Sequence, residues 1–149
     1  MTTKAIYIDV CALSRPFDDQ SFLRIRMETA AVNLILSEVR RGSYRLIISP
    51  VHTREIRAIE DSIERVELQM LLAALGKPVA VNRAKARART EELIRLGMGV
   101  ADAAHVAFAE ESAVDFISCD DRLIKKCAAS VTVVWCGNPV SFCEKEGLR

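Results

Sequence analysis

The sequence lacks the features that would place it in several broad classes of protein. Its five cysteines form an odd number and include no C-x-x-C pair, which argues against a disulfide framework and against a structural zinc site. No linker rich in proline, glycine or serine divides the 149 residues, and half of them are hydrophobic. We therefore predict one domain with a substantial core that spans residues 1–149.

Long apolar runs and an excess of one charge are also absent. The uncharged runs are too short to cross a bilayer, and the first residues, M-T-T-K-A-I-Y-I-D, lack the apolar segment of a signal peptide. We therefore expect a cytoplasmic protein that does not bind membranes. Because 21 basic and 20 acidic residues nearly cancel, any affinity for nucleic acid must come from local clusters of basic residues.

The sequence does contain an alternation of apolar strands and amphipathic helices. Ala5 to Ile8 show no polar alternation, which predicts a strand that is covered on both faces. The alternation as a whole predicts an α/β fold with a parallel sheet. The predicted strands are 4–9, 44–48, 79–81, 114–119 and 131–135, the predicted helices are 21–41, 62–75, 83–96, 101–109, 139–146 and one that begins at Ser49-Pro50, and 13–20 is predicted to be an exposed loop.

Two of the apolar strands end in acidic residues. Asp9 follows the first strand, and Asp120 and Asp121 follow the fourth. Ligands of open α/β sheets bind at the carboxyl ends of the strands, where the strand order reverses. We therefore expect Asp9 and Asp120 to share one acidic pocket.

Two further acids are placed near the starts of helices. Glu55 lies about two turns into the helix that begins at Ser49-Pro50, and Asp102 opens the apolar helix A-D-A-A-H-V-A-F-A, where the helix dipole favours an ionised carboxylate. Clustered carboxylates repel one another, and a hard cation such as Mg²⁺ or Mn²⁺ compensates that repulsion. We predict that Asp9 and Asp102 bind such a cation directly.

Four motifs in register resemble the PIN-domain ribonucleases, which include the VapC-like toxins of toxin-antitoxin pairs. The resemblance covers nearly the whole chain and rests on I-Y-I-D at Asp9, S-P-V-H-T-R-E-I at Glu55, D-A-A-H-V-A at Asp102 and F-I-S-C-D-D-R-L at Asp120. It implies a three-layer sandwich with a central five-stranded parallel sheet and helices on both faces. One departure is Cys11, because many members carry serine or asparagine two residues after the first aspartate.

The resemblance also implies a function. Asp9, Glu55, Asp102 and Asp120 match the family's acidic positions, which bind Mg²⁺ or Mn²⁺ and hydrolyse RNA. Glu55 and Asp120 would bind the cation directly or through water, and Asp121 is a further candidate for the fourth role. The family adds an antitoxin protein as a partner and a homodimer, which the apolar excess of helices 21–41 and 62–75 also favours.

Each of these residues has a simpler interpretation as well. Glu55 could be a solvated helix residue paired with an arginine, and Asp102 and Asp120 could serve only as helix N-caps. His105 is more often a hydrogen-bonded core histidine than a metal ligand, so we leave it out of the predicted site. Lysine and arginine scattered near Glu55 could contact phosphate or merely solvate the surface.

Two other functions compete with the nuclease hypothesis. A phosphatase of the haloacid dehalogenase type also carries an aspartate after its first strand, but it needs a second one two residues later, where this chain has Cys11. A catalytically inactive PIN-like module would bind RNA or a protein without cleavage. The presence of all four acids argues against such a module.

Overall fold

A five-stranded parallel sheet forms the centre of the computed structural model, which describes residues 3–130 and 133–149. The strands are β1 (Lys4–Ile8), β2 (Tyr44–Ile48), β3 (Gly76–Pro78), β4 (Asp115–Ile117) and β5 (Cys136–Gly137). They lie in the order β3-β2-β1-β4-β5, so strand order reverses beside β1. A crevice therefore opens at the carboxyl ends of β1 and β4.

Helices cover both faces of this sheet, which confirms the predicted fold class. The helices are α1 (Val10–Leu13), α2 (Leu23–Arg40), α3 (Pro50–Arg57), α4 (Ser62–Leu75), α5 (Arg83–Arg95), α6 (Val100–Ser112), α7 (Asp121–Ala129) and α8 (Pro139–Glu146). Ile6 and Ile8 point into a core formed with α2, α4 and α8, and Tyr7 between them points into a core formed with α5, α6 and α7. None of the helices in the described part of the chain is long and apolar enough to cross a membrane.

The predicted edge strand at 79–81 is wrong, because β3 lies three residues earlier, at Gly76–Pro78. Gly76 leaves α4 in an extended conformation and pairs with Leu46. A Cβ atom at Gly76 would lie 2.6 Å from Cδ1 of Ile48 and 2.6 Å from the carbonyl oxygen of Leu72, so this close approach requires glycine. Strand propensity favours valine over glycine and proline, and for that reason the pattern pointed to the wrong residues.

The last strand is also displaced from its prediction at 131–135. Residues 131 and 132 lie outside the described residues, and β5 is formed by Cys136–Gly137. The main chain before it still contacts β4, because the carbonyl oxygen of Trp135 accepts a hydrogen bond from Phe116 N at 2.8 Å. The indole of Trp135 would lie 2.5 Å from a Cβ atom at Gly137, so glycine allows the ring to fold back over the strand.

The segment 13–20, predicted to be an exposed loop, is more ordered than that. Asp9 caps the short helix α1, whose last residue, Leu13, is buried. A 3-10 turn follows at Arg15–Phe17, with Pro16 in its first turn, where proline's fixed φ is compatible with a helical turn. Gln20 then closes the segment by donating to the carbonyl oxygen of Arg15 at 3.0 Å.

Candidate active site at the carboxyl edge of the sheet

Asp9 lies at the end of β1 and is the most buried of the predicted acids, with 3% of its surface exposed. Its Oδ1 atom accepts hydrogen bonds from Ala12 N at 3.0 Å and from the Cys11 thiol at 3.1 Å. Burial raises the pKa of Asp9, and the His105 charge and the hydrogen bonds from Ser118, Cys11 and Ala12 oppose that rise. The thiol of Cys11 thus contacts the carboxylate itself.

Asp9 lacks the compensation that the other buried carboxylate receives. The described residues contain two buried carboxylates, Asp9 and Glu28. Glu28 forms ion pairs with Arg15 at 3.0 Å and with Arg24 at 3.5 Å. Within residues 3–130 and 133–149, Asp9 forms no ion pair. A buried carboxylate without an ion pair is unfavourable, and a bound proton or a bound cation would relieve the part of that cost that the hydrogen bonds and His105 leave uncompensated.

Asp102 and Asp120 lie at the same edge of the sheet. Asp102 is half-buried in the first turn of α6, and its pKa is raised by burial and then by the negative charges of Asp120, Asp9 and Glu55. Asp120 caps α7 by accepting from the backbone N–H groups of Arg122 and the next residue at 2.9 and 3.2 Å. The structure therefore brings Asp102 within electrostatic range of the other three predicted acids.

A buried hydrogen-bond relay fixes Glu55. The Nε2 atom of His105 contacts Oε1 of Glu55, and Nδ1 of His105 lies 2.5 Å from the hydroxyl oxygen of Tyr7. That oxygen lies 2.7 Å from Oγ of Ser49. Because an ionised carboxylate only accepts, Nε2 donates to Glu55, and Nδ1 shares a hydrogen bond with the hydroxyl of Tyr7. Burial raises the pKa of Tyr7, which keeps its hydroxyl protonated.

His52 supports the same relay from the first turn of α3. Its Nδ1 atom accepts from Ser49 N at 3.0 Å, and its Nε2 atom donates to the carbonyl oxygen of Ile8 at 2.7 Å. Burial, together with the charge of His105, lowers the pKa of His52 to about 3. A neutral His52 therefore completes the capping box of α3 and ties that helix to the end of β1.

Asp121 has a partner outside this group of acids. Its two carboxylate oxygens lie 2.6 and 2.7 Å from the guanidinium of Arg24 on α2. The hydrogen bonds from Arg24 lower the pKa of Asp121, which is exposed. The carboxylate that the sequence offered as an alternative to Asp120 is thus held at the rim by a bidentate ion pair.

The donor chemistry of the site fits a hard divalent cation. Among the residues that the structure describes, no three histidine, cysteine, aspartate or glutamate side chains are already arranged as a metal-binding set. The available donors are nevertheless carboxylate oxygens, which Mg²⁺ and Mn²⁺ prefer, and each carboxylate retains lone pairs beyond those used in the hydrogen bonds described above. A cation would compensate both the buried charge of Asp9 and the repulsion at Asp102.

The sequence did not identify the residues that support the acids. His105 was correctly expected to be a hydrogen-bonded core histidine, but its partner Glu55 was not foreseen. Its spacing of three residues from Asp102 on α6 places both on one face of the helix, and this was the available signal. Tyr7 and Ser118 lie within apolar strand patterns that give no indication of a polar role.

Comparison with known proteins shows the fold. No protein-family model and no curated protein matches the chain. A crystal structure of FitAcB from Neisseria gonorrhoeae is 16% identical, covers 90% of this chain and 97% of its own, and superposes with a TM-score of 0.54. A structure of FitAB bound to the IR36 DNA fragment is 18% identical, with coverages of 91% and 95% and a TM-score of 0.56. At these identities the likeness concerns architecture alone, and the chain has a PIN-like α/β fold.

Proposed function

We propose that this protein is an endoribonuclease that depends on Mg²⁺ or Mn²⁺ and hydrolyses RNA phosphodiester bonds. The observation that carries the proposal is Asp9, a buried carboxylate without an ion-pair partner in the described part of the chain. Its charge acts on Asp102, which also feels Asp120 and Glu55. A PIN-like fold with four acids at the switch point of the sheet supports the same chemistry.

The acids would have different roles in the reaction. When bound, a divalent cation lowers the pKa of a water molecule and stabilises the charge that builds up on the scissile phosphate. Asp9 and Asp102 would supply direct oxygen ligands to that cation, and Asp120 would supply a ligand directly or through water. His105 fixes Oε1 of Glu55, which leaves Oε2 to orient the attacking water and to accept its proton.

The resemblance to VapC-like toxins extends the proposal to a toxin-antitoxin pair, in which an antitoxin protein binds this chain. One structural neighbour, FitAB, was solved bound to a DNA fragment. A cavity of about 580 Å³ lies between α2 and α4, and two of its large apolar lining side chains, Phe17 and Met70, are exposed. Ile63 and Val66 are also exposed and share one face of α4 with Met70. We call the surface formed by Phe17, Ile63, Val66 and Met70 the α2–α4 apolar face and propose it as the homodimer interface.

Metal-dependent cleavage of RNA tests the nuclease proposal. The wild-type protein should cleave single-stranded or structured RNA, lose that activity in EDTA and regain it when Mn²⁺ is added. Asp9→Asn, purified in the same way, controls for a contaminating ribonuclease and should be inactive under every condition. Activity that persists in EDTA would contradict the metal requirement, and a protein that binds RNA without cleaving it would be the inactive module instead.

A further inference from the structure

A cavity with a mixed polar and apolar lining lies beside the candidate active site, on the side of β2 and β3. It has a volume of about 460 Å³, and its lining includes Arg54 and Arg57 of α3 and Arg83 at the start of α5. Apolar side chains, among them Ile48 and Val79, form another part of the lining. We call this space the α3 cavity.

The three arginines of the α3 cavity are exposed and uncompensated. In the described part of the chain, none of them makes a hydrogen bond or an ion pair, and no acidic residue lines the cavity. A cavity of about 430 Å³ beside Asp120 is also lined by arginines, but there Arg15 and Arg24 are both paired with Glu28. Arg122 is the one arginine of that lining whose side chain has no partner in the described part of the chain. The cavity on the β2–β3 side of the acids is therefore lined by three arginines without a described partner, and the cavity beside Asp120 by one.

The position of the α3 cavity connects it to the acids. Glu55 lies on α3 between two of the arginines, and Ser49, which lines the cavity, also contacts the hydroxyl of Tyr7 at 2.7 Å. The cavity opens at the carboxyl end of β2, the strand next to β1 and its terminal Asp9. One to two strand spacings, or about 5–10 Å, therefore separate the α3 cavity from Asp9.

We infer that the α3 cavity binds the nucleotide that adjoins the cleaved bond in single-stranded RNA; this inference rests on the proposed nuclease function. Arg54, Arg57 and Arg83 offer planar guanidinium groups that match phosphate oxygens bidentately. The volume suits one small ligand of nucleotide size. The apolar wall and the guanidinium planes pack against a base that is free of a duplex, and only single-stranded RNA presents such a base.

The test separates binding from cleavage by using Asp9→Asn as the background. The probe is a fluorescein-labelled single-stranded RNA of mixed sequence and about 12 nucleotides, a length within the range of single-strand sites. Anisotropy without divalent metal gives Kd at several salt concentrations. The variant Arg54→Gln/Arg57→Gln/Arg83→Gln is compared with Arg45→Gln, since Arg45 is an exposed arginine without a described partner at the opposite end of β2.

The triple variant should bind the probe on the order of tenfold more weakly, and the slope of log K against log salt should fall by about 0.7 for each arginine removed. Arg45→Gln should bind like its background, and unchanged melting temperatures should show that all variants fold. Equal affinity of the triple variant and its background would overturn the inference, as would equal affinity for the probe annealed to its complement.

Different experimental results would refute the nuclease proposal and the assignment of the α3 cavity. If the wild-type protein binds the probe through the three arginines but does not cleave RNA with Mn²⁺, the nuclease proposal is wrong and the α3 cavity remains an RNA site. If RNA is cleaved and the triple variant has unaltered KM and Kd, the nuclease proposal stands and the cavity assignment is overturned. A protein that neither binds nor cleaves RNA would refute both.

Discussion

Nε2 of His105 holds the carboxylate of Glu55, although the two residues lie 50 positions apart in the sequence. His105 is 2% exposed and lies on α6, the helix that also carries Asp102. One helix thus supplies an acid of the candidate site and orients a second acid on α3. The relay continues to Tyr7 on β1, so three of the elements that form the site, α3, α6 and β1, are joined by buried polar contacts.

Replacement of His105 tests this orientation. We expect His105→Leu, which keeps the volume but removes the donor, to lower kcat by about 10–100-fold, the usual effect of losing a group that orients a metal-site ligand. KM should change little, because the RNA contacts lie elsewhere. His105→Gln, whose amide can donate to Glu55, should recover part of kcat. An equal loss in both variants would indicate that His105 acts only through the stability of the core.

Asp9→Asn should abolish cleavage and raise the melting temperature of the metal-free protein. Asparagine keeps the hydrogen bond from Ala12 as an N-cap but removes a buried charge. Burial raises the pKa of Asp9 above its ordinary 3.8, so the folded state retains its proton at higher pH than the unfolded state. The destabilisation that the buried charge of Asp9 causes is therefore absent below the pKa of the unfolded state. It grows as pH rises and is complete above the pKa of the folded state.

Thermal unfolding of wild type and Asp9→Asn without metal checks this sign. The variant should be the more stable at about pH 7, and the difference should disappear at about pH 3, where the aspartate is protonated in both states. A large fall in melting temperature would assign Asp9 a structural role. Full activity of the variant would remove Asp9 from the site.

The neutral state of His52 should make the folded protein sensitive to acid. Its pKa is about 3 when folded and 6.5 ordinarily, so the unfolded state binds a proton that the folded state does not. Stability should therefore fall as pH decreases from about 6.5 to about 3, by up to about 1.4 kcal/mol for each pH unit. The raised pKa of Asp9 acts in the opposite direction, so the contribution of His52 requires a matched variant.

His52→Gln provides that variant, because glutamine can also complete a capping box with Ser49 and does not titrate. Urea unfolding followed by the fluorescence of the single tryptophan, Trp135, gives the free energy of unfolding at each pH. The free energy of wild type relative to His52→Gln should fall with decreasing pH across this window. Parallel curves for the two proteins would show that His52 is protonated in the folded state.

The α2–α4 apolar face should support a homodimer. Met70 and Ile63 are 66% and 69% exposed, and apolar side chains grouped in this way are typical of protein interfaces. Met70→Glu should shift the sedimentation coefficient from dimer to monomer at micromolar concentration. Leu96→Glu, at an exposed apolar position that follows α5 on the other side of the sheet, should leave it unchanged. A wild-type protein that sediments only as a monomer would count against the dimer.

The elements whose positions could be predicted are those with a regular local pattern of apolar residues. The long helix α2 and the strand β2 were expected within two residues of their observed ends, because each has its own apolar pattern. The edge strands β3 and β5 were misplaced because a neighbouring strand, rather than side-chain propensity, determines which residues pair there. Gly76 and Gly137 lie in those strands because of close contacts that no pattern reveals.

The contacts of the candidate site were likewise predictable only in part. Asp9 and Asp120 could be placed together from the sequence, because both follow apolar strands of one parallel sheet. The contact between His105 and Glu55 could not, since it joins two helices whose relative position depends on packing. The ion pair of Asp121 with Arg24 is also invisible in the sequence, because the two residues lie 97 positions apart.

Tyr7 is part of both the hydrophobic core and the hydrogen-bond relay of the candidate site. Its ring packs beside Phe116 in the hydrophobic core, with centroids 5.7 Å apart, and its hydroxyl belongs to the relay that ends at Glu55. A displacement of about 1 Å at a catalytic group can reduce a rate about a hundredfold, whereas a core often absorbs such a shift. In a laboratory selection for both heat resistance and activity, we therefore expect substitutions around Ile6 and Ile8, which lie on the opposite face of the sheet. Tyr7 and Phe116 should remain unchanged in the selected variants.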